Sequence, residues 1–487
     1  MTRLPPWAVL KFGGTSVASH ERWTTIAKII RARQDDGYRP VVVCSAISGI
    51  TDALEHLIAN ALDGNPDAVL ATIRQRHRTL ADELDVDVDA ILGDAFDQLE
   101  RLAQGIALIG EVSPRLRARL MAHGELMSTR LGAAFLSDQG IDVHWRDART
   151  MLESEADAPV SEHQAYLSAS CPAAPDPELQ RDLSADASTV VLTQGFIARN
   201  PDGDTVLIGR GGSDTSAAYL AVKLGAERLE IWTDVPGLFS ADPRQVPDAH
   251  LLSQLAYDEA QELATMGAEV LHPRCIDPVR RHGIPLHIRS TEAPSIDGTV
   301  ISSEAPEHPA HLKAISAKTG VMLISMSTLG MWQRVGFLAN VFEVFKRHGL
   351  SIDLVATSEA NVTVSLDSLT NTLEPPVIAS VVDDLEAYCT VETIRSCAAV
   401  SLIGRHIRAL LPDLSPAFSV FDGQPVHLMT QAASDLNVTV VVDENQAEGL
   451  VPALHERLFP GSDTSALGPT WRQLFEPAGD GEATPLD

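Results

Sequence analysis

At 487 residues with 45% hydrophobic content, the chain is long enough for two to four domains with buried cores. Its formal net charge of −29 argues against nucleic acid or an anionic membrane surface as a partner and chiefly signals solubility. Cys44, Cys171, Cys275, Cys389 and Cys397 form an odd set without CxxC spacing, the first residues lack the apolar stretch of a signal peptide, and no run of 18 apolar residues occurs, so disulfides, a zinc site and a membrane span are disfavoured and a reducing cytoplasm fits.

Residues 7–12 read as a buried strand that ends in Gly13-Gly14-Thr15-Ser16. Ser19-His20-Glu21-Arg22 then opens an amphipathic helix with Trp23, Ile26, Ala27 and Ile30 on its apolar face. Lys11 therefore sits at the carboxyl edge of a strand beside a helix N-terminus, where ligands of open α/β sheets collect. Lysine is scarce, with only Lys28, Lys223, Lys313, Lys318 and Lys346 besides, and Lys28 and Lys223 lie within helices. Residues 40–46 form the next expected strand and 51–108 a long helical insertion. Ser113-Pro114 starts a helix in which Glu125 shares a stripe with Met121 and Ser128. That inward carboxylate needs a partner, either a ligand ammonium or a bland salt bridge within the helix or to Arg130. Residues 154–188, rich in Ala, Pro, Ser and Asp, read as a partly exposed connection.

Strands at 189–195 and 205–208 lead into Ile208-Gly209-Arg210-Gly211-Gly212-Ser213-Asp214-Thr215-Ser216, a glycine-dense loop running directly into a helix. Such a junction is an anion site, because the glycines let an oxyanion approach the backbone and the helix N–H groups point at it. Arg210 can clamp a carboxylate or phosphate, Ser213 can donate to one, and Asp214 can orient a lysine or a metal. Strands at 228–232 and 284–289 complete an alternating pattern that predicts an α/β sheet covered on both faces.

After Glu304-Ala305-Pro306-Glu307-His308-Pro309 the pattern changes to strand, helix, strand, strand, helix, strand. Strands at 320–326, 351–358 and 361–366 with a helix at 335–348 make one unit. A second has strands at 398–403, 426–431 and 436–442, a poorer helix at 410–421 and a last helix at 446–459. This weak duplication predicts paired ferredoxin-like modules.

Lys11-Phe12-Gly13-Gly14-Thr15-Ser16-Val17, Gly124-Glu125-Leu126-Met127-Ser128, Gly209-Arg210-Gly211-Gly212-Ser213-Asp214 and Trp232-Thr233-Asp234-Val235-Pro236-Gly237, in that order, resemble the aspartate kinases of the amino-acid kinase superfamily. The resemblance runs from about residue 7 to about 459. It implies an α/β amino-acid-kinase fold, mainly a parallel sheet sandwiched by helices, at 1–305. A linker at 306–317 follows, whose residues 312–317 give a strand to the later of two ferredoxin-like ACT units at 318–392 and 393–465, with a tail at 466–487. That tail, from Gly468-Pro469-Thr470-Trp471 onward, resembles the junction where an aspartate kinase is fused to diaminopimelate decarboxylase, so the chain is either a piece of such a fusion or a stand-alone relative.

The absence of GxxxxGK[ST], HRD and DFG patterns excludes P-loop and protein-kinase machinery. The resemblance implies ATP and Mg²⁺ as cofactors and L-aspartate as substrate, with no protein side chain singled out as a metal ligand. Lys11 would stabilise the transferring phosphate and Asp214 orient Lys11. Gly13, Gly14, Gly211, Gly212, Thr233, Asp234, Phe239 and Arg244 would hold the nucleotide, while Thr51, Glu125, Arg210 and Ser213 would hold aspartate. Glu269 stands where many members carry a nucleotide-contacting lysine, which calls for compensation by Mg²⁺, Arg244 or Arg274. Met331, Ser351, Ile352, Asp353, Thr357, Ser358 and Glu359 would form an effector site in the first ACT unit, favouring lysine over threonine because Glu359 offers a charge for a side-chain ammonium. The family pattern implies a homodimer or a dimer of dimers through the ACT units. A kinase for glutamate, acetylglutamate or a nucleotide, and a non-catalytic amino-acid-sensing pseudokinase, are the competing readings.

Overall fold

The computed structural model describes residues 5–155, 161–185, 189–268, 270–304, 311–328, 335–368, 371, 373–412, 414–459 and 467–475; Glu269 and Met331 lie outside them. The chain forms two units, the first of Met1–Leu238, Ser253–Tyr257 and Val270–Ala305, the second of Phe239–Leu252, Asp258–Glu269 and Pro306–Asp487.

In the first unit the strands are β1 (Trp7–Phe12), β2 (Arg39–Cys44), β3 (Val143–Arg146), β4 (Val190–Gln194), β5 (Ile197–Arg199), β6 (Thr205–Leu207), β7 (Arg228–Thr233), β8 (Gln254–Leu255), β9 (Leu286–Ser290) and β10 (Thr299–Ile301). Eight of them make one sheet in the order β3-β4-β2-β1-β7-β9-β10-β8, while β5 and β6 pair as a separate hairpin. From β3 to β9 every pairing is parallel, so these strands end at one edge. Strands β2 and β4 are buried throughout and β1 and β7 nearly so, as expected for a sheet with helices on both faces. The helix His20–Asp35 buries Trp23, Ile26, Ala27 and Ile30, the face its spacing marked. Helix His123–Asp138 crosses so near it that a Cβ on Gly132 would lie 1.9 Å from the Trp23 ring, and only glycine admits that approach. The 51–108 insertion forms helices Ile50–Leu62, Asp67–Leu84 and Val88–Ile109, whose Leu54, Leu57, Leu70, Ile73, Leu92 and Phe96 join the same core.

The second unit holds β11 (His311–Ser327), β12 (Val355–Thr357), β13 (Asn361–Asp367), β14 (Thr390–Arg405), β15 (Val426–Gln431) and β16 (Asn437–Asp443) in one antiparallel sheet, ordered β12-β13-β11-β14-β16-β15. The two ferredoxin-like halves thus share their long central strands. Residues 321–327 of β11 pair with β13, whereas 311–318 pair with the far end of β14, and the register shifts between Lys318 and Val321, where Gly320 has φ +68°. Helices Phe337–Arg347 and Pro375–Glu386 cover the first half with Phe337, Val341, Phe345, Ile378 and Leu385.

Three expected elements come out differently. The helix expected to run from Ser113-Pro114 through Glu125 divides at Ala122 into Pro114–Met121 and His123–Asp138. The strand expected at 351–358 shrinks to β12: ahead of it Asp353 and Leu354 both face Ser365, whose carbonyl takes the Asp353 N–H at 3.0 Å and whose hydroxyl takes the Leu354 N–H at 2.9 Å, a bulge that ends the regular ladder. The helix expected at 410–421 breaks into Ile407–Leu410, Ser415–Phe418 and a single 3₁₀ turn, in a stretch where Pro412 and Pro416 carry no N–H to continue it.

Candidate active site

Because β1, β2, β4 and β7 run parallel, the segments leaving them meet at one edge of the first unit. Lys11 is the penultimate residue of β1, and its Nζ lies 2.6 Å from Asp214 Oδ1, with the two side chains only 12% and 11% exposed. Asp214 stands in the first turn of the helix Gly212–Leu224, where the dipole favours a negative charge. Its other oxygen accepts the His272 N–H at 3.4 Å, so the carboxylate is fixed from two sides and the ammonium is aimed. Gly13 adjoins this pair, and a Cβ on it would stand 3.7 Å from Lys11 Nζ, an ordinary contact. Gly211 caps the helix at φ +62°, and a Cβ there would lie 2.0 Å from Cγ of His272.

Two further links reach the strand edge. Ser45, just after β2, donates its hydroxyl to Ser213 Oγ at 2.9 Å. Ala46 N–H donates to Glu125 Oε1 at 3.3 Å. Glu125 is buried on helix His123–Asp138, and burial pushes its carboxyl up to about 8 against two backbone N–H groups that pull it down. No ion pair to it is present among the described residues, and Arg130 instead lies 5.1 Å over the Trp145 ring. Thr51 is exposed in the first turn of helix Ile50–Leu62, and Arg210 is exposed on the loop before Gly211. Burial lowers the His272 pKa, and Arg274 and Arg210 lower it further, against an opposing pull from Asp214.

Thr233 ends β7 and donates to Asp234 Oδ1 at 2.9 Å, while the Thr291 N–H and the Ser290 hydroxyl bond the Thr233 and Asp234 carbonyls at 2.9 and 3.1 Å. Arg274 donates to the Ile208 carbonyl at 2.6 Å and to that of Ala169 at 3.3 Å, holding up the start of the glycine loop. Ser45 and the His272 backbone were not foreseen from the sequence. A groove of about 640 Å³ between helix His20–Asp35 and residues 289–295 contains neither Lys11 nor Asp214, and its Arg22, Arg33 and Arg289 already pair with Glu292, Glu230 and Asp297.

Phe239 and Arg244 fall in the second unit. Phe239 is buried, bridged to Leu251 and set edge-on to Trp471 with ring centroids 5.6 Å apart, whereas Arg244 is exposed and its N–H donates to Asp242 Oδ1. Of the effector candidates, Asp353 lies 3.4 Å from Lys318 Nζ, which also contacts the fully buried Asp367. Burial, with the neighbouring Asp367 carboxyl, pushes Asp353 up to about 6 against the pull of Lys318. The Ser351 N–H donates to Asn371 Oδ1 at 2.6 Å, and Ile352 packs on the core of the first half. Thr357, Ser358 and Glu359 are exposed where β12 ends, with Ser358 Oγ accepting the Asn361 N–H at 3.1 Å.

The family model of the amino acid kinase family matches residues 6–290. The lysine-sensitive aspartokinase 3 of Escherichia coli K12 is 34% identical over 465 residues, 93% of this chain and 99% of that protein. The aspartokinase of Schizosaccharomyces pombe is 31% identical, with 93% of each chain covered. The crystal structure of E. coli aspartokinase III with aspartate and ADP, in the R-state, superposes at a TM-score of 0.80 with 33% identity, covering 93% of this chain and all of that one. The T-state of the same enzyme with lysine and aspartate superposes at 0.72 with 32% identity, over 93% of this chain and 99% of that one. The chain belongs to the amino acid kinase family and, within it, to the aspartokinases. Among the described residues no helix is long and apolar enough to cross a membrane.

Proposed function

We propose that this chain transfers the γ-phosphoryl group of ATP to the side-chain carboxylate of L-aspartate, giving 4-phospho-L-aspartate at the head of lysine, threonine and methionine biosynthesis, under inhibition by lysine. The observation that carries the catalytic part is the Lys11–Asp214 pair, a cation fixed at 2.6 Å beside a glycine-capped helix N-terminus. An aspartate carboxylate is already an anionic nucleophile at neutral pH, so the reaction needs no general base. One oxygen attacks the γ-phosphorus, the bond to the β,γ-bridging oxygen breaks, and ADP leaves with that electron pair. What the protein must supply is in-line placement and positive charge around the transferring group.

In this reading Lys11 neutralises the transferring phosphoryl oxygens and Asp214 keeps its ammonium aimed, while Gly13, Gly14, Gly211 and Gly212 let the backbone approach the phosphates. Glu125 binds the substrate ammonium, Arg210 and Ser213 the α-carboxylate, and Thr51 closes that side. Thr233, Asp234, Phe239 and Arg244 belong to the nucleotide segment, and Glu269 to its periphery. Among the described residues no three or more Asp, Glu, His or Cys side chains are grouped so as to hold a metal ion. Mg²⁺ would ride on the triphosphate, held mainly by phosphate oxygens and water, adding to the charge neutralisation Lys11 begins.

Lysine control is supported by the lysine-sensitive E. coli relative and its lysine-bound T-state. Residues 318–392 and 393–465 would be the sensing ACT units behind a kinase domain at 1–305, with assembly into a dimer or dimer of dimers through them in the cytoplasm. The test is hydroxylamine trapping of the acyl phosphate with L-aspartate against L-glutamate, with and without lysine. Hydroxamate from aspartate alone, suppressed by lysine, is expected. Equal yield from glutamate would make this a different amino-acid kinase, and no hydroxamate at all a pseudokinase.

A further inference from the structure

Within the second unit, residues 468–470 lie antiparallel to 249–251 through a bridge between Thr470 and His250, and the short helix Trp471–Phe475 that follows stays bonded to 247–249. The Leu251 N–H donates to the Pro469 carbonyl at 2.9 Å and the Gly468 N–H returns to Leu251 at 2.8 Å. Trp471 N–H reaches the Ala249 carbonyl at 2.9 Å and Arg472 N–H that of Pro247 at 3.1 Å. His250 Nδ1 bonds the Gly468 carbonyl at 2.9 Å, and the Arg472 guanidinium lies 3.3 Å from Asp248. The partner stretch is itself paired one layer deeper, since Phe239 bridges Leu251 and Ser240 N–H donates to the His250 carbonyl at 2.8 Å. Trp471 stands edge-on to Phe239 at 5.6 Å and is backed by Phe475 at 4.2 Å. Phe239 is only 7% exposed, so its ring offers little face for a base to stack on.

We infer that Trp471 is a positioning residue for the nucleotide segment: the strap at 468–472 clamps Phe239 and thereby fixes the 239–244 stretch, making Phe239 an anchor rather than a stacking partner. The inference rests on the nucleotide reading of residues 233–244 proposed above. An edge-to-face aromatic pair stabilises one arrangement by a modest amount, so its loss lets the segment sample others and weakens nucleotide binding without touching the reacting groups.

The test compares the full chain with Trp471→Ala and Trp471→Phe. For Trp471→Ala, KM for ATP and the calorimetric Kd for ADP should both rise about threefold to tenfold. The values for kcat and for KM of aspartate should stay within twofold, and Trp471→Phe should recover most of the loss. An unchanged ADP affinity overturns the inference, and so does a tighter one, since Trp471 would then compete with the nucleotide. A fall in kcat with ADP affinity preserved would mean only general destabilisation, which also overturns it. Because ADP binding is read directly, a wild-type chain that binds ADP but phosphorylates no aspartate defeats the proposed reaction and leaves the strap decided by the variants.

Discussion

Replacing Glu125 by glutamine should separate two consequences of one buried carboxyl. Burial raises it from an ordinary 4.5 to about 8, with the Ala46 N–H at 3.3 Å and its own backbone N–H only partly opposing the shift. A carboxyl that holds its proton more tightly folded than unfolded contributes its full stability below about 4.5, and that contribution drains away as pH rises through about 8. The gap between the two values sets an upper limit of roughly 5 kcal/mol, which relaxation and water entry reduce to about 2 to 3. Glutamine keeps the shape and removes the titration. The unfolding midpoint of Glu125→Gln relative to wild type should therefore move in the variant's favour by several degrees between pH 5.5 and 8.5. Parallel stability profiles across that range would refute the burial argument. In the proposed complex the substrate ammonium faces this group and forces it to ionise, so aspartate binding at pH 7 should release about one proton and at pH 9 almost none. Calorimetry in two buffers of different ionisation enthalpy reads that number, and proton-neutral binding at pH 7 would move the ammonium elsewhere.

Lys11→Ala should leave the fold intact and lower kcat by ~10² to 10³, the scale of one preorganised electrostatic donor; near-normal turnover in a well-folded variant removes Lys11 from the chemistry. Arg210→Ala should chiefly raise KM for aspartate, because it meets a carboxylate present in ground and transition states alike, and a rise confined to KM for ATP would assign it to the nucleotide. Asp353→Ala should abolish inhibition by lysine, read as the loss of a 5- to 150-fold shift typical of such coupling, and an inhibition curve identical to wild type would place the effector away from Asp353.

Much of the first unit could be read from the sequence because its strands are short, continuous and apolar, so that tertiary context had little to override. The helix His20–Asp35 announced itself through a Ser19 cap, whose side chain accepts the Arg22 N–H, and an unbroken 3.6-residue stripe. By contrast, β3 is a half-exposed edge strand of four residues, too short to show a period. The helices Glu162–Leu167 and Pro177–Leu183 in the supposed connection did carry signals, since Ser161 caps Gln164 N–H and Asp176 caps Leu179 N–H ahead of Pro177. A composition rich in Ala, Pro and Ser outweighed them. The expected strand at 312–317 does pair with the later half, but that it runs on past Gly320 as one strand with 321–327, along a β14 of similar length, was not legible, because such continuation depends on pairing between strands, not on either sequence alone.

The site divides along the same physical line. Lys11, Asp214 and the glycines stand out because their chemistry is bound to local backbone geometry: a strand end, a positive φ at Gly211, a helix N-terminus. The groups that hold them do not. The Ser45–Ser213, His272–Asp214 and Arg274–Ile208 hydrogen bonds join residues 168, 58 and 66 positions apart, and two of the three use a backbone N–H or carbonyl, which any residue type provides. A sequence marks where a reactive side chain must be of one kind, and it is nearly silent wherever the partner is main chain. That is why nothing in the sequence singles out His272, although its amide fixes Asp214 and its ring closes over Gly211, so that an added Cβ there would collide with the ring at 2.0 Å. The functional demand at position 272 therefore falls partly on the path of the chain, and substitutions there should be judged by whether that path survives as well as by the lost imidazole.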